Sequence, residues 1–173
     1  MAQAFADTTH QEEKMVLSTR NDLGVEVREK ATALLNQLLA DATDLYSQTK
    51  QAHWNVKGMQ FFQLHELFDT LADSVEDYVD LIAERATSLG GAACGTVRLS
   101  AAASRPPEYS LDARNGRQHV EALAARFSIL AASSRAAIDA ANAMGDADTG
   151  DVFTEVSRGL DKHLWLLESH LTD

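Results

Sequence analysis

Proline is almost missing from this chain. Its two copies, Pro106 and Pro107, are adjacent, so they break the backbone at one place and leave long stretches free to be helical. Cysteine is represented by Cys94 alone. That excludes an internal disulfide and favours a reducing compartment, and with no histidine near it in sequence Cys94 carries no sign of a catalytic thiol. Positive charge is in short supply: 15 Lys and Arg face 26 Asp and Glu, for a net charge of −11. Such a balance speaks against bulk attraction to a phosphate backbone and could instead attract cations; ordinary solubility is the other use of such a charge. No apolar run approaches the roughly 20 residues that cross a bilayer, so no membrane partner is expected. The N-terminus has neither a basic start nor an apolar stretch after it, so a cytoplasmic location is expected. Also missing are a Gly-rich phosphate loop, a cysteine cluster at zinc spacing, an internal repeat and a recognisable nucleophile signature.

What is present is alanine and leucine in quantity, with β-branched runs scarce. This composition predicts an all-α fold, and 173 residues make one domain with a real core. Residues 1–23 are polar and weakly periodic, and read as a flexible or extended tail in front of a domain over 24–173. In that tail Lys14 and Arg20 oppose Asp7, Glu12, Glu13 and Asp22, leaving −2. His10 reads as a solvated tail residue.

Apolar spacing predicts four long helices. The first runs from about Val25 to near Trp54 and ends before the turn Asn55-Val56-Lys57-Gly58. The second runs from Phe62 to Leu89 and stops at Gly90-Gly91. The third runs from about Asn115 to Ala143, closed by Met144-Gly145. The fourth starts among Asp146, Asp148 and Asp151 and continues to about Leu171. Residues 92–114 form the longest connection, with a short helix expected over Thr96–Ser104 before the prolines. In a four-helix bundle such a connection can carry the chain from one end to the other. Trp54 reads as a packing residue or as an electron donor beside a metal. Trp165 reads as core or interface, His119 as structural, and His163 and His170 as surface residues. The three aspartates at the last helix are expected from capping and the macrodipole alone; the alternative is an acidic funnel for cations.

The chemistry is concentrated between Lys50 and Arg85. His65 and Asp69 are four apart on the second helix, and Asp80 and Glu84 form another such pair. At 100° per residue the four fall within an arc of about 100°, yet Asp69 and Asp80 are roughly 16 Å apart along the axis. One ion with ligand bonds of about 2.0–2.2 Å cannot reach both pairs. Either the pairs are unrelated, or two copies of the helix lie antiparallel across a two-fold axis and bring unlike ends together in two equal sites. His53, just before the helix, adds a second nitrogen to three carboxylates. That mixture suits Fe(II), and also Zn(II) or Mn(II), with a position left open for an oxidant. Carboxylates four apart are also what an ordinary solvated helix face shows.

At KQAHWNVKG, FFQLHELFD and EDYVDLIAERATSLGG the sequence resembles the Dps family of mini-ferritins, and TRNDL and DADTGDVFTEVSRGLDKHLW extend the resemblance over roughly residues 18–170. The resemblance implies a ferritin-like four-helix bundle with a short extra helix in the long connection, assembled from two-fold dimers into a hollow dodecamer. It implies a ferroxidase centre between subunits, with His53, His65 and Asp69 from one chain and Asp80 and Glu84 from the other. The expected reaction is oxidation of Fe(II), by hydrogen peroxide in preference to dioxygen, followed by storage of ferric mineral. Asp146, Asp148 and Asp151 match the acidic region near the family's three-fold pores. Relatives that bind DNA often use Lys-rich tails; the acidic balance here predicts weak or absent direct DNA binding. The competing expectation is a nucleoid-associated, DNA-compacting protein with a secondary metal role.

Overall fold

The computed structural model describes residues 16–172. His10, Lys14 and the acidic residues Asp7, Glu12 and Glu13 lie outside the described residues. Five helices follow in order: α1 (Val25–Asn55), α2 (Phe61–Ser88), α3 (Val97–Ala103), α4 (Gly116–Ala143) and α5 (Ala147–Glu168). No strand occurs among the described residues, so the all-α expectation holds. The boundaries fall within a few residues of those read from periodicity.

The ends have local causes. The Asn115 side chain accepts from the Gln118 amide and starts α4, and Thr96 does the same for α3 through Leu99. After α2 the chain turns at Gly90, whose φ of +85° suits glycine; a Cβ there would sit 2.6 Å from the Leu17 carbonyl oxygen. That close approach is part of a strap. Leu17 N–H donates to Gly90 O, and the buried Arg28 guanidinium donates to the carbonyls of Leu17, Leu23 and Leu89. Residues 16–23 are therefore held against the end of α2.

Two helical hairpins, α1–α2 and α4–α5, pack face to face, with α1 against α4 and α2 against α5. Leu35, Leu45, Phe68, Leu71, Phe127, Phe153 and Leu160 meet in one core, each completely or almost completely buried. Burial of each such side chain contributes about 1.5–3 kcal/mol before the entropy of ordering is counted. Tyr78 crosses to α5 over Gly159, where a Cβ would lie 1.7 Å from its hydroxyl, so glycine is what lets α2 and α5 approach.

The connection from Leu89 to Asn115 does not loop freely. It runs along α1, and its partners on that helix advance from Asn36 to Gln48, with one exchange where Ser104 and Arg105 reach Asp44 and Asp41. Asn36 bonds Ala92 and Cys94, Gln37 bonds the Ala103 carbonyl, buried Asp41 holds Arg105, Asp44 accepts from Ser104, and Gln48 donates to the Pro107 carbonyl. The chain thus arrives at the far end of the bundle, where α4 starts. There Tyr109 and His119 are buried together.

Several expectations for single residues need correction. His163 is not a surface residue: it is buried on α5, near the rings of Tyr78 and Phe127. Trp165 does not enter the core of the protomer; it is 63% exposed, and Trp54 is 66% exposed rather than packed. His170 is exposed as expected, and Cys94 is exposed too.

Candidate metal centre

The turn between α1 and α2 brings His53 and His65 together although twelve residues separate them. Their rings stack with centroids 3.7 Å apart at 21°. Each ring also bonds the other's backbone: His53 Nδ1 lies 2.9 Å from the His65 carbonyl oxygen, and His65 Nδ1 lies 3.0 Å from that of His53. A carbonyl can only accept, so both Nδ1 atoms carry the proton. In that tautomer each ring offers its Nε2 lone pair, the arrangement that orients histidines toward a metal.

Asp69 stands one turn beyond His65, with its carboxylate 3.7 Å from His53 Nδ1 and half-exposed. Its closest partner is the Lys50 ammonium. The hydrogen bond from Lys50 holds the Asp69 carboxyl below its ordinary value, outweighing desolvation, with smaller help from the two histidines. Asp69 in turn raises the Lys50 amine. Sequence reasoning missed Lys50, although it lies three residues before His53 and so shares its helix face.

Asp80 and Glu84 lie at the other end of α2. They are exposed and line an open cleft with Ser74, Asp77, Tyr78, Leu81 and Glu155. Glu155 arrives from α5, and no local spacing could have announced it. Burial first, then Glu155 and Asp77, raise the Tyr78 phenol. Among the described residues, no three His, Cys, Asp or Glu side chains of one protomer gather to hold an ion. His53, His65 and Asp69 thus lie at one end of α2 and Asp80 and Glu84 at the other, two separate groups of candidate ligands.

The three aspartates at α5 are not equivalent. Asp146 is buried, caps α5 by accepting from the Thr149 amide at 3.0 Å, and binds Arg85 at 2.6 Å. Asp148 is exposed and 3.8 Å from Arg85, and Asp151 is exposed. Arg85 was not singled out by sequence; it puts a fixed cation beside the acidic turn.

Two antiparallel hairpins joined by one long crossover are the architecture of ferritin-like proteins, and a ferritin-like domain model matches residues 32–173. The chain belongs to the Dps family within that class, on the relatives that follow. It is 41% identical over 155 residues to the DNA protection during starvation protein of Agrobacterium fabrum, covering 90% of this chain and 96% of that one. It superposes on DpsC from Streptomyces coelicolor with a TM-score of 0.89 at 29% identity, over 95% and 96% of the two chains. The Dps protein from Vibrio cholerae O1, described as a member of a broad superfamily of ferritin-like diiron-carboxylate proteins, gives a TM-score of 0.84 at 28% identity over 91% and 98%.

Proposed function

We propose that this protein is a ferroxidase and iron-storing mini-ferritin. Its substrate is Fe(II), bound where two protomers meet across a two-fold axis. His53, His65 and Asp69 supply one side, and Asp80 and Glu84 of the partner subunit supply the other. Zn(II) or Mn(II) fits the same donors. The observation that carries this reading is the reciprocal His53–His65 pairing. It commits both Nδ1 atoms to carbonyls and leaves both Nε2 atoms free, with the Asp69 carboxylate on the same side of the turn, 3.7 Å from His53 Nδ1, while the remaining ligands sit too far along the same helix to join them.

Fe(II) arriving at the histidines competes with Lys50 for Asp69. A doubly charged ion with ligands on both sides displaces the ammonium, and two carboxylates from across the interface complete its neutralisation. Two Fe(II) then reduce one hydrogen peroxide to water, with two protons taken up, and the ferric product moves into the interior of a dodecameric shell. Dioxygen is the slower oxidant in this reading. Removing Fe(II) and peroxide together removes the ingredients of hydroxyl radical, and this protects DNA without requiring contact with it. Asp148 and Asp151 are exposed and available to lead cations inward; Asp146 is already committed to Arg85 and to the α5 cap. The protein acts in the cytoplasm, near the nucleoid if DNA recruits it.

Complementation tests the arrangement. His65→Ala and Glu84→Gln should each slow peroxide-dependent Fe(II) oxidation steeply in homogeneous assemblies. In a mixed dimer one site carries both lesions and the other carries neither. Random reassembly of equal amounts should therefore restore about a quarter of the sites. Ferric absorbance after rapid mixing reads this directly, and the absence of any restoration would sink the shared-site assignment.

A further inference from the structure

Tyr109 and His119 are two buried titratable groups that the iron site does not use. Tyr109 is 7% exposed and His119 is 1% exposed. The Tyr109 hydroxyl lies 2.6 Å from His119 Nδ1, and the two rings are nearly parallel at 16°. His119 Nε2 has no partner within hydrogen-bond geometry but faces the Asn55 backbone. A carbonyl nearby favours the proton on Nε2, so Nδ1 is the acceptor and the tyrosine hydroxyl donates. Burial pushes the Tyr109 phenol up to about 12 and the His119 imidazole down. At neutral pH the pair is therefore an intact phenol hydrogen-bonded to an uncharged base.

Two further features bear on what this pair can do. The Arg126 guanidinium lies 5.6 Å from the centre of the Tyr109 ring. A cation over the face opposes any positive charge left on that ring, so Tyr109 can lose an electron only if its proton leaves with it, and His119 Nδ1 is in place to take that proton. Second, Asn55 follows Trp54 and lies two residues after His53, about 3 Å further along α1. The pair thus stands behind the end of the helix that carries the iron-binding histidine and an exposed tryptophan.

We infer that Tyr109 and His119 form a proton-coupled electron donor that quenches the hydroxyl radical released when a lone Fe(II) reduces hydrogen peroxide. The inference rests on the ferroxidase reading for the source of the oxidant. Hydroxyl radical takes one electron from Trp54 and becomes hydroxide. Trp54 recovers that electron from Tyr109. The Tyr109 O–H bond breaks, the proton moves to His119 Nδ1, and a neutral tyrosyl radical remains, shielded from solvent. A second Fe(II) returns one electron, the proton moves back, and the net change is Fe(II) and hydroxyl radical to Fe(III) and hydroxide. Arg126, Gln48 and Glu108 fix the surroundings: Arg126 donates to the Gln48 side chain and to the Glu108 carbonyl.

The test is freeze-quench electron paramagnetic resonance on the assembled full chain, loaded with Fe(II) and mixed with hydrogen peroxide. The parent should show a tyrosyl signal. Tyr109→Phe should lose it while still forming Fe(III), and should release several-fold more hydroxyl radical to a spin trap. His119→Gln keeps an acceptor for the hydroxyl but no base, and should cut the signal several-fold. A signal that survives in Tyr109→Phe, or a parent that forms Fe(III) with no tyrosyl radical, overturns the proposal. Should the parent form no Fe(III), the ferroxidase reading fails on its own. The pair is then tested in metal-free protein by flash-generated tris(bipyridine)ruthenium(III), where a radical at Tyr109 that depends on His119 supports the pair and its absence overturns it.

Discussion

At the scale of single residues, burial decides what sequence could not. His163 sits eight residues from the Glu155 that lines the acidic cleft, yet it faces inward, with its Nδ1 left without a partner. Sequence spacing placed it outside because no second histidine stood at ligand distance; that argument addressed metal binding and said nothing about the core. Burial lowers its imidazole, with a smaller push from Lys162. A histidine whose folded pKa is depressed binds fewer protons than it does in the unfolded chain. Its contribution to stability is complete above about pH 6.5 and falls as pH drops below that value toward the folded pKa. Melting temperature measured from pH 7.5 to pH 5 should therefore fall less steeply in His163→Leu than in the parent. An unchanged slope would mean that His163 takes up its proton without cost. At pH 7.5 this variant should be no less stable than the parent, since replacing an unpartnered buried nitrogen by carbon removes a penalty. Lys50 gives the opposite lesson. Its spacing from His53 was legible, but its reach to Asp69 depended on how α1 and α2 cross, which no local pattern encodes.

At the scale of elements, periodicity was enough for α1, α2, α4 and α5, because each buries one continuous apolar stripe. It was also enough for α3, because Thr96 and the prolines bracket it. The His65/Asp69 and Asp80/Glu84 pairs on α2 were legible as pairs for the same reason that the core was: a helix repeats its faces at fixed spacing. The start of α5 was harder. Three aspartates look interchangeable in sequence, and only the arrival of Arg85 from α2 distinguishes Asp146. Removing that carboxylate takes away a helix cap and leaves Arg85 largely buried without its counter-charge. Asp146→Ala should cost about 3–5 kcal/mol, read by chemical denaturation. Asp148→Ala, at an exposed carboxylate, should change stability by less than about 1 kcal/mol. Equal losses in the two variants would show that the buried pair has no special weight.

For the whole molecule, charge governs the partners. With a net charge of −11, each chain repels duplex DNA except where a local basic patch intervenes, and assembly into a shell as proposed would multiply that charge. No retardation of duplex DNA is expected in a gel at physiological salt and neutral pH, and strong retardation that weakens as salt rises would favour the DNA-compacting alternative. The exposed apolar side chains also have meaning at this scale. Trp54, Met59, Phe61 and Phe62 cluster around the α1–α2 turn with large exposed areas, next to His53 and His65. In the proposed arrangement, an interface there would complete the iron site and cover that patch at once. Sequence spacing left two readings open, unrelated pairs or a meeting of two copies, and could not name the surface that would serve the second.

The rail of polar contacts that guides Leu89–Pro107 along α1 bears on how the chain reaches this shape. Each hairpin is built from neighbours in sequence and can form early and alone. Their mutual alignment is recorded in a connection whose rungs are spaced along a rigid rod. The first hairpin thus acts as a gauge that measures out where the second begins, so that Tyr109 and His119 reach the end of α1 by counted steps and not by chance collision.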